Sequence, residues 1–360
     1  MRVVQYGVHD PAYPRNERIR AFLSAELGAD VTVLERRRSG SRLRRAVQEV
    51  VDLWRASRGA DVIVLSEFRL THAPLVWAVA RLRRARFVVD HFVGLHETVV
   101  EDWRKVHPKS STARRLAVQD ALAARLADLC LTDTQPRAAR LAAMHGRPVL
   151  ALPVGAPSWA RPSATPRAGV GPAAAPDADR APLRVLYYGN YLPLHGVPEI
   201  VGILAELVRH RAVAATFIGD GLDRSTIERS VRTLGLAGCV EFLDPVPEAE
   251  LVRQITAHDV VLGVFGDSRK ARDVVPNKVW QGLACGKTTV TGDGPAVREL
   301  HDVVGDQLVI VGRGEPVRAA EAIVAAASRT TDTSTAHERL EQYTRTAYRR
   351  LAEQLRNEGS

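Results

Sequence analysis

The residues whose types and spacing suggest chemistry lie in VPNKVWQGLACGKTTV, residues 275–290. Pro276 suits the first turn of a helix, which places Asn277 and Lys278 in that turn. A lysine there opposes the helix dipole unless an anion is bound nearby. The segment therefore predicts a phosphate-binding helix N-terminus, with an ordinary solvated lysine as the alternative.

Two glycine-rich turns follow other predicted strands in the same half of the chain. In YYGNYLPLHGV, Gly189 ends a strand and Gly196 begins the next helix, while His195 offers a further hydrogen-bond donor. A second turn of this type, in FIGDGLDR, contains Gly219, Asp220 and Gly221. Neither turn has the G-x-G-x-x-G spacing of a nicotinamide-cofactor site. Both are interpreted as loops whose backbone can approach a phosphate, with simple turns as the alternative.

The elements that would position these turns are short apolar runs separated by amphipathic stretches. In the first half, the predicted strands are 2–6, 30–34, 61–65, 86–90, 129–133 and 148–152. Helical patterns include 18–27 and 113–127. Strands that are continuously apolar and separated by helices indicate a parallel sheet covered on both faces.

The same pattern starts again after a segment rich in proline, alanine and glycine, 156–182, which we interpret as a linker between domains. The predicted strands are then 183–189, 213–219, 239–243, 259–265 and 287–291. Predicted helices are 197–209, 223–234, 247–257, 276–285, 315–327 and a long terminal helix at 337–355. The chain is therefore predicted to be α/β, with two tandem Rossmann-like, doubly wound domains. Ligands bind such sheets beyond the carboxyl ends of the strands, so a site is expected in a cleft that the two domains face.

The charge of the chain is unevenly distributed. The net charge is +9, and residues 1–150 hold 26 Lys and Arg against 16 Asp and Glu. The excess is concentrated in RRRSGSRLRR (36–45) and RLRRAR (81–86). Such clusters attract phosphate, anionic lipid or nucleic acid, although an arginine-rich solvated surface is the simpler interpretation. Few aromatic residues lie between the basic ones, which argues against binding of single-stranded nucleic acid.

Composition excludes several classes of protein. Apolar residues make up 46% and charged residues 25% of the 360 residues, as is typical of globular proteins. No apolar run approaches the length of a membrane span, and the first residues lack the pattern of a secretory signal. Three widely separated cysteines fit neither a zinc site nor a disulfide framework. A cytoplasmic protein is expected, with contact to the inner face of a membrane as a further hypothesis.

The segments YGNYLPLHGV, IGDG and VPNKVWQGLACGKTTVTGDGPAVREL, in this order, resemble the donor half of retaining GT-B glycosyltransferases of family 4, the glycosyl transferases group 1 class. GVHDPAYPRN (7–16) is similar to the acceptor loop of a bacterial branch of that family. The resemblance implies an acceptor domain at 1–155, the linker at 156–182 and a donor domain at 183–330. It also implies that a helix within 331–360 crosses back to the first domain.

The resemblance assigns roles to two acidic positions of the family, the E-x7-E motif. Its glutamates match Asp273 and Gln281, so both are replaced here. Asp273 can still accept hydrogen bonds from a sugar, and Gln281 can still bond a ribose diol without charge. The implied catalytic residues are His96, Lys278 and Asp273.

The family's arginine and lysine for the donor diphosphate match Asn190 and His195, which leaves more of the charge compensation to Lys278, with Arg272. The implied donor-binding residues are Gly189, Asn190, His195, Gly196, Gly219, Asp220, Gly221, Asn277, Lys278 and Gln281.

On the acceptor side, the resemblance directs attention to the loop DHFVGLHETVVEDWR (90–104). Relatives often carry a histidine there near the reacting centre; His96 is our candidate, and His91 competes with it. The expected acceptor contacts are Asp10, Arg15, Asn16, Glu67 and Glu97.

The implied reaction transfers a sugar from a nucleoside diphosphate sugar, UDP- or GDP-linked, to a small-molecule or lipid-linked acceptor. The resemblance implies retention of the anomeric configuration and no metal or other cofactor. Because both glutamates are replaced, a non-catalytic GT-B-like protein that binds a nucleotide or activates a partner is the alternative. A sugar-nucleotide epimerase and a nucleic-acid binder are less well supported, since no residues beyond the basic clusters favour them.

Overall fold

The computed structural model describes residues 1–37, 41–162, 181–221, 223–329 and 335–357. It divides into two compact units, one formed by Met1–Val154 with Thr344–Ser360 and the other by Gly155–Tyr343. Most of the segment interpreted as a linker, 163–180, and residues 38–40 of the first basic cluster lie outside the described residues. Among the described helices, none combines the length and apolar character needed to cross a membrane.

The first unit alternates strands and helices. Its strands are β1 (Arg2–Val8), β2 (Asp30–Glu35), β3 (Val62–Leu65), β4 (Arg86–Asp90), β5 (Leu129–Thr132) and β6 (Val149–Ala151). Its helices are α1 (Pro14–Leu27), α2 (Arg42–Ala56), α3 (Ala73–Arg83), α4 (Ser111–Leu126) and α5 (Gln135–His145). Short 3-10 and π-helical turns occupy Leu70–His72 and Glu97–Asp102. The sheet is parallel, in the order β2-β1-β3-β4-β5-β6.

The second unit repeats this plan. Its strands are β7 (Leu183–Tyr188), β8 (Val213–Ile218), β9 (Val240–Leu243), β10 (Val260–Leu262), β11 (Thr288–Gly292) and β12 (Leu308–Val311). Its helices are α6 (Val197–His210), α7 (Arg224–Thr233), α8 (Glu248–Ala257), α9 (Arg269–Asp273), α10 (Asn277–Ala284), α11 (Pro295–Val304) and α12 (Pro316–Ala327). The parallel sheet has the order β12-β11-β10-β7-β8-β9. The predicted α/β class, with two parallel sheets flanked by helices, is confirmed.

The second unit differs from its predicted elements in two ways. The strand expected at 259–265 ends at Leu262, and beyond it the backbone N–H and carbonyl of Val264 bond the Thr291 hydroxyl. Strand β12 and the helices α9 and α11 were not predicted.

A last helix, α13 (Ala336–Asn357), completes the fold and contributes to the core of the first unit. Tyr348, Leu351 and Leu355 are buried in a cluster with Ile19 and Leu23 of α1. Burying these side chains attaches the end of the helix to that unit by the hydrophobic effect. The predicted return of the terminal helix to the first domain is therefore confirmed.

We expect Leu351→Ala to lower the free energy of unfolding by about 2–5 kcal/mol, because it removes buried apolar volume from a packed core. Urea unfolding measures the change. Leu82→Ala, at an exposed leucine of α3, is the matched control and should change stability by less than about 0.5 kcal/mol. Equal effects of the two substitutions would contradict the packing of α13 on the first unit.

Candidate functional site

The topology of the second sheet brings the two most informative segments to one edge. From β7 the chain builds β8 and β9 on one side, and then β10, β11 and β12 on the other. Ligands of doubly wound sheets bind beyond the carboxyl ends of the strands at such a reversal of strand order. Gly189 follows β7 there, and residues 263–273 follow β10.

Lys278 lies in the interior of this edge. Its side chain is buried, and its Nζ has no hydrogen-bond partner within the described part of the chain. The amine sits 4.2 Å from the centroid of the Tyr187 ring, and a Cβ built on Gly189 would lie 3.4 Å from it. Burial holds the pKa of Lys278 well below its ordinary value of 10.5. The alternative of a solvated lysine is therefore wrong.

Lys278 takes this position because helix α10 begins at Asn277. Pro276 is the N-cap residue, with extended backbone angles, rather than a residue of the first turn as predicted. The buried face of α10, which includes Val279, Trp280 and Leu283, then directs the amine toward β7.

His195 is neutral and its tautomer follows from its contacts. Its Nδ1 lies 2.9 Å from the Tyr187 hydroxyl, which lies 3.1 Å from the carbonyl oxygen of Asn190. A carbonyl only accepts, so the hydroxyl donates to Asn190 and Nδ1–H donates to the hydroxyl. Burial and the neighbouring Lys278 lower the pKa of His195 to about 2. The side chain was expected to offer a donor to phosphate, but in this tautomer Nε2 is an acceptor.

The glycines of the two turns allow backbones to touch. A Cβ on Gly219 would lie 2.2 Å from the carbonyl oxygen of Gly189, and one on Gly196 would lie 2.3 Å from the nitrogen of Gly266. Both glycines have positive φ. The N–H of Gly196 donates to Pro193 within its own turn, so this residue provides close approach rather than a free donor.

The remaining expected donor residues lie on the same unit with different surroundings. Asn190, Asp220 and Gly221 are exposed, and the Asp220 carboxylate accepts from the N–H of Gly221 at 2.7 Å. Asn277 is partly buried at the start of α10. Arg272, expected to assist Lys278, instead pairs with Asp267 at the surface.

Asp273 and Gln281 are held in defined positions. Asp273 ends the short helix α9 and is buried. The hydroxyl of Tyr188 donates to Oε1 of Gln281 at 2.9 Å, and burial raises the pKa of Tyr188. With its oxygen engaged in this way, Gln281 retains its amide N–H groups as hydrogen-bond donors.

Arg313, which follows β12, was missed by the sequence analysis. Its guanidinium donates to four carbonyl groups, those of Gly266, Ala271, Gly292 and Asp293. These bonds tie the loop after β10, which leads into α9 and Asp273, to the end of β11. Arg313 is therefore a positioning residue for this part of the site.

In the first unit, Arg15 was predicted to contact an acceptor, but its side chain bonds other groups in the interior. Its guanidinium forms two 2.8 Å bonds with Asp90 and also donates to the carbonyls of Thr132 and Leu152. It is fully buried, and a buried ion pair with these additional bonds is a structural feature of the interior.

Asn16 and Glu67 are adjacent and buried, whereas Asp10 is exposed. The Asn16 amide donates to Glu67 Oε1 at 2.8 Å and to the Asp10 carbonyl at 3.1 Å. Burial and the nearby Asp90 raise the pKa of Glu67, whose Oε2 has no partner in the described part of the chain. Phe68, the next residue, has φ +63 and is exposed, a feature that sequence reasoning missed.

The two histidine candidates after β4, His91 and His96, have different surroundings. His96 is partly exposed, and its Nδ1 lies 3.2 Å from Glu101. His91 is buried at the carboxyl end of β4, and among the described residues neither of its ring nitrogens has a hydrogen-bond partner. Burial also lowers the pKa of His91. These observations favour His91 over His96 as a ligand-binding histidine.

Glu97 is engaged elsewhere. Its carboxylate pairs with Arg137 at 2.8 Å and with Arg140 at 3.0 Å, and it is buried. The predicted acceptor contact of Glu97 would compete with these two ion pairs, which hold the buried Arg137 together with Asp133.

The burial of Lys278 predicts a dependence of stability on pH. Between its lowered folded-state pKa and 10.5, the unfolded chain binds a proton that the folded chain does not, so stability rises with pH. Lys278→Met removes this dependence. The variant should be more stable than the native chain at pH 7, and its advantage should shrink by up to about 1.4 kcal/mol per pH unit as the pH rises.

Urea unfolding between pH 7 and pH 9 measures this difference. Lys109→Met, at an exposed lysine, is the control and should alter stability equally at each pH. An unchanged difference between Lys278→Met and the native chain across this range would contradict the burial of an unpaired amine.

Comparison with known proteins was consistent with this geometry. Residues 182–329 match the family model of the glycosyl transferases group 1. No match to a curated protein sequence is significant.

Similar solved structures cover the whole chain at low sequence identity. Anabaena HepE in complex with UDP and glucose has a TM-score of 0.67 and 19% identity, and the match covers 99% of both chains. Sucrose-phosphate synthase from Thermosynechococcus elongatus has a TM-score of 0.67 and 15% identity over 99% of both chains. The lipopolysaccharide outer core galactosyltransferase WaaB has a TM-score of 0.64 and 12% identity, again over 99% of both chains. Residues 182–329 are thus similar to the glycosyl transferases group 1 family, within a chain that has the GT-B fold.

Proposed function

We propose that the protein is a glycosyltransferase that moves a sugar from a nucleoside diphosphate sugar to an acceptor. The observation that carries this proposal is the buried amine of Lys278, which has no hydrogen-bond partner among the described residues and lies beside Gly189 at the switch point of the sheet. Burial disfavours the charged form of this amine, and a diphosphate beside it would supply the negative charge that favours protonation.

A uridine nucleotide is the donor class that we favour. Structures of Anabaena HepE contain UDP or UDP-glucose, and their fold matches this chain over 98% of its length. In the proposed complex the donor diphosphate accepts hydrogen bonds from Lys278. Gln281, oriented by Tyr188, donates to the ribose. Asp273 accepts from hydroxyl groups of the sugar.

In the proposed reaction, the bond between the anomeric carbon and the phosphate oxygen breaks, and its electron pair remains on the diphosphate. The acceptor oxygen forms the new bond to the anomeric carbon, and its proton passes to the departing phosphate. We propose that the configuration is retained, without a protein nucleophile. Lys278 and backbone amides stabilise the developing negative charge, which is the role we assign to the protein in place of a metal ion.

The acceptor is proposed to bind at the carboxyl edge of the first sheet, near Glu67 and His91. Both are buried, and both keep polar atoms without partners in the described part of the chain. His91 replaces His96 in this proposal because His96 already contacts Glu101.

A second function is favoured by one feature, the replacement of both acidic residues of the family motif. In particular, Gln281 already accepts a hydrogen bond from Tyr188. A chain with weakened ribose recognition could bind a nucleotide, or activate a partner, without turnover. Release of UDP from UDP-glucose by the purified chain distinguishes the two functions.

We expect UDP to stabilise the native chain more than GDP, TDP, ADP or CDP does. At about 100 times its dissociation constant, a ligand adds roughly 2.7 kcal/mol to stability. Thermal unfolding with each nucleotide measures the effect. The increment should disappear in Lys278→Ala and persist in Lys109→Ala, because only the first lysine lies in the proposed site. Absence of stabilisation by every nucleotide would contradict the donor site and favour activation of a partner without nucleotide binding.

His91→Ala should lower kcat for UDP release by about 100-fold or more, if this histidine acts at the reacting centre. His96→Ala, the matched control in the same loop, should lower it by less than about tenfold. Stabilisation of both variants by UDP shows that they remain folded. A larger loss in His96→Ala than in His91→Ala would restore His96 as the catalytic candidate.

A further inference from the structure

Helix α2 turns an apolar stripe toward solvent. Leu43, Val47, Val50 and Trp54 have exposed fractions of 77%, 54%, 39% and 44%. Their spacing of four, three and four residues places them on one face of an α-helix. We call these four residues the α2 stripe. Single exposed apolar residues are ordinary, but four on one helical face form a contiguous patch.

The stripe lies opposite the face that holds α2 on the first unit. Leu53 on that face is fully buried in the core cluster with Ile63, Leu65 and Phe87. Glu49, on the same side, pairs with Arg69 at 2.5 Å. The helix is therefore already anchored, and the α2 stripe contributes nothing to the core of the unit.

Trp54, at the end of the stripe, is held in a defined arrangement. The guanidinium of Arg83, on α3, lies 3.8 Å from the centroid of the Trp54 ring and donates to the Trp54 carbonyl at 2.8 Å. An indole beside a guanidinium combines an apolar ring with a fixed positive charge, the combination suited to a boundary between water and hydrocarbon.

The surroundings of the stripe are positively charged. Exposed arginines in and around α2 are Arg36, Arg37, Arg44, Arg55 and Arg58. Residues 41–58 contain two acidic residues, Glu49 and Asp52, which pair with Arg69 and Arg37. Little negative charge remains near the stripe to balance the arginines.

We propose that α2 is a membrane-docking helix, which lies in the headgroup region of an anionic lipid bilayer with the α2 stripe inserted among the acyl chains. An apolar face combined with an arginine-rich polar face is the pattern of helices that bind in the plane of such an interface. The arginines are attracted by the negative surface potential of the lipids, and burial of the stripe adds an apolar contribution.

Other occupants fit these observations less well. A second copy of the chain would bring two sets of arginines together, and like charges at an interface are unfavourable. A nucleic acid would satisfy the arginines and leave the apolar stripe without a partner of matching character. A lipid surface satisfies both features.

If the chain docks on a membrane, its acceptor is expected to be a molecule at the membrane surface. This part rests on the glycosyl transfer proposed above, whereas docking itself does not depend on it. A lipid-linked acceptor would meet an enzyme already confined to the same surface, which raises the effective concentration of the two partners.

Flotation of the full chain with vesicles tests the docking. We expect the chain to float with vesicles that contain phosphatidylglycerol and not with phosphatidylcholine alone, with binding that weakens as salt is raised. The double variant Val47→Ser/Trp54→Ser should bind the anionic vesicles at least about tenfold more weakly. Val118→Ser/Leu234→Ser, at exposed apolar residues elsewhere, is the matched control and should bind like the native chain.

Three results would overturn the proposal. The first is a lack of binding to anionic vesicles, and the second is binding that is equal in both double variants. The third is a dimer in light scattering that dissociates in Val47→Ser/Trp54→Ser, which would assign the stripe to a second copy. Stabilisation by UDP, measured on the same variants, reports on the nucleotide site independently, so failure of docking and failure of the proposed function remain distinguishable.

Discussion

The second unit is organised around one amine that is removed from water and has no hydrogen-bond partner in the part of the chain that the structure describes. Lys278 contacts the face of Tyr187, and the neighbouring His195 is kept neutral by burial and by that same amine. Both groups would gain a proton more readily beside an anion, since a nearby negative charge favours their charged forms. This electrostatic preference for an anion is the physical basis of the diphosphate site proposed above.

The backbone around Lys278 is fixed by contacts that do not involve its amine. Gly219 allows the turn after β8 to contact the turn after β7, and Gly196 allows the start of α6 to contact the loop after β10. Arg313 then ties that loop to the end of β11 through backbone carbonyls alone. Because none of these contacts involves the side chain of Lys278, they hold the geometry whether or not its charge is balanced.

The sequence allowed prediction of the features that depend on local pattern. The strands were recognisable as continuous apolar runs, and Lys278 could be placed at a helix start because of the preceding proline. The direction in which a side chain points could not be predicted from the sequence. Arg15 and Glu97 lie in segments that the sequence predicted to contact an acceptor. In the structure they form buried ion pairs with Asp90 and Arg137, and these partners are distant along the chain. Arg313 could not be distinguished from other arginines in the sequence, because its acceptors are backbone carbonyls, which residues of every type possess.

Helix α13 has a consequence for how the chain acquires its structure during synthesis. The division between the units falls inside this helix, after Tyr343, so its last turns supply Tyr348, Leu351 and Leu355 to the core of the unit made first. That core stays incomplete on the ribosome until all of the second unit has been translated. Domains generally fold in order of synthesis, but here the first unit reaches its final packing last, and chaperones would meet it with an uncovered apolar surface on α1.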